Sequence, residues 1–96
     1  MAKGDVINFG PTSVVDDGYL DLQPGSGIEC SIHNINHGGA IELYFYDGTN
    51  SVISVVVGDA TPLVNMALRC TNTAYYRVKN VSGGSIYISA DGLVTK

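Results

Sequence analysis

Tryptophan is absent from this 96-residue chain, charge is scarce, and no long apolar run occurs. Charged residues make up 15% of the sequence, against about 25% in an average soluble protein. The basic ones are only Lys3, Arg69, Arg77, Lys79 and Lys96, and the net charge is −4. A protein that neutralises phosphates needs a basic stripe, so this composition excludes nucleic acid as a partner. The longest apolar stretch, Val52–Val57, is interrupted by Ser54. A membrane-spanning helix needs about 20 apolar residues, so no such span is expected. Nor does any segment show a capped apolar stripe of period 3.6, which excludes a helical protein. The opening Met1-Ala2-Lys3-Gly4-Asp5 leads into polar and turn residues without the apolar core of a secretory signal. The expected location is therefore a cytoplasm, without secretion. Cysteine is limited to Cys30 and Cys70. In a reducing compartment these are expected as buried thiols, although a bridge between them stays open because both fall on inward faces.

What is present is period-2 alternation cut by turn residues. Val6–Phe9 ends at Gly10-Pro11, and Thr12–Val15 runs into Asp16-Asp17-Gly18. Tyr19–Leu22 follows. Ile28, Cys30 and Ile32 share a face in the next strand, as do Ile41, Leu43 and Phe45 in the one after. Asp47-Gly48-Thr49-Asn50 is a hairpin turn by composition. Val52–Val57 is next, then alternation from Val64 to Cys70, then Tyr76 and Val78 inward with Arg77 and Lys79 outward. Ile86, Ile88 and Ala90 form the last inward row, before Asp91-Gly92 turns into a short tail. Some eight short strands at this spacing predict an all-β, antiparallel β-sandwich over residues 1–96, one domain with one core. Periodicity leaves open whether it is immunoglobulin-like or a small jelly roll.

Few side chains offer chemistry. Cys30, His33 and His37, with Cys70, do not match zinc-ligand spacing. On a strand, Cys30 and His33 leave opposite faces, and His33 and His37 are expected exposed near a hairpin. Neither a metal nor a cofactor is predicted. Asp16, Asp17 and Asp21 sit at a turn signal, where Asp serves the local backbone. No nucleophile–base–orienter set is recognisable, so an enzyme is not expected. Asn80-Val81-Ser82 has the form of a glycosylation sequon, read here as chance.

Two features stand out. Tyr44, Tyr46, Tyr75 and Tyr87 fall on outward faces, and an immunoglobulin-like order would join Tyr44, Tyr46 and Tyr87 with Arg77 and Lys79 on one surface. Tyrosine suits interfaces, and it equally suits strands. In Val52–Val57, Ile53, Val55 and Val57 take one face while Val52 and Val56 take the other. Such a charge-free strand must be central or covered on both faces, because on an open edge it invites association. A partner subunit is a natural cover.

The stretch Tyr75-Tyr76-Arg77-Val78-Lys79-Asn80-Val81-Ser82-Gly83-Gly84-Ser85-Ile86-Tyr87-Ile88, with Asp91-Gly92 and Glu42-Leu43-Tyr44-Phe45-Tyr46-Asp47-Gly48, resembles small β-sandwich virion proteins of tailed bacteriophages. These include head decoration proteins and related capsid-surface or fibre modules. The resemblance implies a structural protein that binds the capsid, hence a major capsid protein or another virion component, as a homo-oligomer, with a trimer favoured. It would then reside in the virion after assembly in the host cytoplasm. A carbohydrate- or host-receptor-binding module, using Tyr44, Tyr46, Tyr75 or Tyr87 as platforms, is the alternative.

Overall fold

The computed structural model describes all residues, 1–96, and contains eight strands and no helix. They are β1 (Val6–Val14), β2 (Tyr19–Leu22), β3 (Glu29–His37), β4 (Ile41–Tyr46), β5 (Ser51–Val57), β6 (Leu68–Thr71), β7 (Tyr75–Asn80) and β8 (Ile86–Val94). One sheet has the order β1-β8-β3-β6 and the other β2-β7-β4-β5, with all pairings antiparallel. The pairs β4–β5, β3–β6, β2–β7 and β1–β8 are those of one long hairpin. It turns at Asp47–Asn50 and rolls up so that β8 meets β3 and β7 meets β4. This order is a jelly roll and not an immunoglobulin sandwich.

The hairpin tip forms for local reasons. Gly48 takes φ +97°, which only glycine adopts freely. The Asp47 carboxylate accepts hydrogen bonds from the amides of Asn50 (2.7 Å) and Thr49 (2.9 Å), and these hold its pKa below the usual carboxylate value.

Between the sheets lies a single core that includes Leu22, Ile32, Ile35, Ile41, Leu43, Val78 and Ile88, each buried. Tyr76 and Phe45 meet edge to face beside it at 5.2 Å. Alternation produced this arrangement, and three departures from it were not visible in the sequence. First, the strands expected at Val6–Phe9 and Thr12–Val15 are one strand, Val6–Val14, slipped in register around the cis Gly10–Pro11 bond. Second, Asp91-Gly92 does not turn into a tail. It lies inside β8, where β3 approaches so closely that a Cβ at Gly92 would meet the Ser31 carbonyl oxygen and the Ile32 Cα. Third, Val64–Ala67 is not strand. The 58–67 segment is a loop that docks on β3 through the amides and carbonyls of Ile35 and Leu63.

A bulge at His33 shifts β3 by one residue against β8. Ile35 and His37 therefore turn inward, and His37 is buried at 8% exposure. This corrects the expectation of an exposed His37. Its Nδ1 lies 2.7 Å from the Gly39 carbonyl oxygen and its Nε2 2.8 Å from that of Thr61, so the ring joins the β3–β4 connection to the 58–67 loop.

Candidate interaction surface

The outer face of the β2-β7-β4-β5 sheet is built by cross-strand pairing. Residues directly opposite one another share a face, which places Tyr19, Lys79 and Glu42 in one row, Asp21, Arg77 and Tyr44 in the next, and Tyr75 beside Tyr46. Arg77 is the hub. Its Nε donates to Asp21 Oδ1 at 2.7 Å, and its guanidinium carbon lies 4.2 Å from the Tyr19 ring centre and 4.9 Å from that of Tyr46. A guanidinium within about 6 Å of an aromatic face is held by the ring quadrupole. Arg77 is thus oriented by two rings and a carboxylate at once. Lys79 reaches towards Tyr19 at 5.9 Å and Asp17 at 3.9 Å. Tyr44 donates to Glu42 Oε1 at 2.6 Å, and this bond, with burial and the neighbouring charge, pushes its phenol up to about 12. Tyr44 also meets Tyr19 edge on at 6.2 Å. The result is a tyrosine-rich surface on which both basic groups are paired with acids, without a concave pocket.

Of the residues expected on this surface, the fold brings Tyr44, Tyr46, Tyr75, Arg77 and Lys79 together. Two differ from expectation. Tyr75 lies on the outer face yet is buried, with the Tyr46 ring 5.5 Å away, and burial raises its pKa. Tyr87 belongs to β8, in the other sheet, because the jelly-roll order separates β8 from β7. It stands alone there, 68% exposed. Tyr19 and Asp21 were missed. Their signal was present in the alternation of Tyr19–Leu22, but only the β2–β7 pairing reveals that they flank Arg77.

Of the two placements expected for Val52–Val57, central or covered by a partner, the first is corrected. β5 is an edge strand, uncovered within the monomer, and not a central one. Val52 and Val56 are 64% and 66% exposed. A bulge at Ser54 also changes the faces. Val52, Val55 and Val57 pair with the inward Phe45, Leu43 and Ile41, whereas Ile53 and Val56 pair with the outward Tyr44 and Glu42. Ile53 and Val56 therefore extend the tyrosine face into an apolar margin. Of the main-chain hydrogen bonds made outside the paired strands, none involves Ser51–Val57, so the far edge of β5 is open.

Cys30 and Cys70 are direct partners on β3 and β6, both fully buried and both free thiols. Burial raises both thiol pKa values, that of Cys70 to about 12. His33 stays apart at the bulge. No group of three or more His, Cys, Asp or Glu side chains is gathered closely enough to hold a metal ion. Asn80, the sequon residue, is fully buried. Its Nδ2 donates to the carbonyls of Val14 (2.8 Å) and Gly84 (2.6 Å), and its Oδ1 accepts from the amide (2.9 Å) and hydroxyl (2.7 Å) of Ser82. All four bonding positions of the amide are in use, so a folded chain has no free Asn80 nitrogen for a glycan.

No protein-family model and no curated protein sequence matches the chain.

Proposed function

We propose that the protein is a structural module of a bacteriophage virion, docking on the particle surface through its tyrosine face and associating with other chains through the open β5 edge. The observation that carries the assembly part of this reading is β5 itself. A seven-residue, charge-free edge strand with four exposed apolar side chains is a surface that soluble proteins ordinarily blunt or cover. The virion part rests on the resemblance of Tyr75–Ile88 and Glu42–Gly48 to phage surface proteins. The jelly-roll strand order is compatible with it, since that architecture recurs in viral capsid domains. In this reading Arg77 and its tyrosines form the rigid polar part of the contact, while Ile53 and Val56 form the apolar part.

The glycan-binding alternative draws on Tyr87, whose ring is exposed on the other sheet. Tyr19 and Tyr46 are poorer platforms, because Arg77 already lies against their rings. The test is mass spectrometry of purified particles from cells expressing the gene, with an Arg77→Ala and Val56→Glu double variant as control. The wild-type chain should co-purify with particles and the variant should be depleted. Particles without the chain, together with binding on a glycan array that Tyr87→Ala abolishes, would replace this reading with the alternative.

A further inference from the structure

The four strand edges of the sandwich are not equivalent. β1 is interrupted by Pro11 and a register slip. β2 has four residues and carries Asp21, bound to Arg77. β6 has four residues and carries Arg69, bound to Glu29. Short length, proline, charge and bulges are devices that keep edges from pairing with other chains. β5 has only the last, the bulge at Ser54. It runs seven residues, Ser51–Val57, with only Ser and aliphatic side chains. The nearest acids at its ends, Asp47 and Asp59, accept hydrogen bonds from the backbones of their own turns.

The arrangement along β5 is self-complementary. Because of the bulge at Ser54, Val52, Val55 and Val57 are inward while Ile53 and Val56 are outward. Let a second copy of β5 lie antiparallel along the open edge, about a two-fold axis between Ser54 and Val55. Ile53 then faces Val56 of the second copy on the outer side, and Val52 faces its Val57 on the inner side. Ser54 faces its Val55. In the Ile53–Val56 and Val52–Val57 pairs like faces meet, and no charge is buried. Without the bulge this register would set inward residues against outward ones, so the irregularity that spoils alternation in the monomer is what makes the pairing consistent.

We infer that β5 pairs with β5 of a second copy of this chain, joining two β2-β7-β4-β5 sheets into one continuous eight-stranded sheet. The inference deepens the proposed docking role by naming the first occupant of the edge. It sets a two-fold dimer in place of the expected trimer, because antiparallel self-pairing closes on itself. The four exposed aliphatic residues form a patch small beside the ~800 Å² per partner of a standard interface. Main-chain hydrogen bonds along the edge add to this, so the dimer is reversible and depends on concentration. It also carries the two tyrosine faces on one side of a single sheet, which doubles the surface presented to a particle.

The test combines sedimentation velocity over a concentration series with amide hydrogen exchange. The mass of the wild type should rise from 10.1 kDa towards twice that value. The β5 amides not bonded to β4 should become protected only at the higher concentrations. Ile53→Lys and Val56→Lys, both at exposed positions, should each raise the dissociation constant about tenfold or more while leaving the circular dichroism of the monomer unchanged. A wild type still monomeric at about 1 mM, a trimer, or a dimer whose β5 amides exchange freely would each overturn the inference. Failure of the docking role looks different: a dimer of the expected kind that never appears on purified particles.

Discussion

Asn80 is the side chain whose removal should cost most for its size. It joins three parts of the chain, receiving the Ser82 turn on its oxygen and giving its two N–H groups to Val14 at the end of β1 and to Gly84 before β8. Its main chain is engaged too, with its amide donating to Gly18 and its carbonyl accepting from Asp17. In Asn80→Ala, Gly84 and Ser82 are exposed enough for water to replace what they lose. The Val14 carbonyl is buried and loses its Asn80 partner, at a cost of about 1–3 kcal/mol. Three further bonds, to Gly84 and to the amide and hydroxyl of Ser82, at a net ~0.5–1 kcal/mol each bring the expected loss to about 2.5–6 kcal/mol. A domain of this length holds roughly 5–14 kcal/mol in all, so the melting temperature should fall by roughly 10–30 °C. Asn80→Asp keeps the shape but aims a carboxylate oxygen at two carbonyl oxygens. It should be worse than alanine at pH 7. Such a carboxyl is more basic folded than unfolded, so the native state retains its proton longer and the penalty should shrink as pH falls towards 4. Urea unfolding followed by circular dichroism measures both variants. An alanine cost under about 1 kcal/mol, or an aspartate cost that does not change with pH, would refute the account of Asn80 as a fully engaged buried amide.

Cys30 and Cys70 should react with a thiol reagent only after denaturation. Since burial pushes the Cys70 thiol up to about 12, the native state holds this proton more tightly than the unfolded chain. The resulting stability is complete below about pH 8.5 and is lost as pH climbs towards 12; the slope of urea midpoint against pH over that window should flatten in Cys70→Ala. Gly92→Ala places a methyl group against the Ser31 carbonyl, and calorimetry should find it destabilised by about 3 kcal/mol, the upper end for overpacking. Ultraviolet titration should show Tyr44 ionising near 12, and Glu42→Gln should return it towards roughly 10; an unchanged titration would show that the Tyr44–Glu42 bond does not persist in solution.

The sequence by itself determined the class of fold and most of the core. Alternation in Ile28–Ile32, Ile41–Phe45 and Ile86–Ala90 follows from the pleat of a strand, in which each side chain must choose one of two faces. Scarce charge and the charge-free, largely aliphatic run of β5 were equally legible. Tertiary structure decided the rest, because it depends on which strand lies beside which. The pairing of β2 with β7 gathered Tyr19 and Asp21 around Arg77, and the roll that put β8 beside β3 removed Tyr87 from that face. Bulges at His33 and Ser54 inverted the inward and outward rows beyond them, since one extra residue reverses a period of two. Neither bulge has a local signature in glycine or proline. Each exists because the partner strand supplies one residue fewer, which is a property of the assembled sheet and not of the segment.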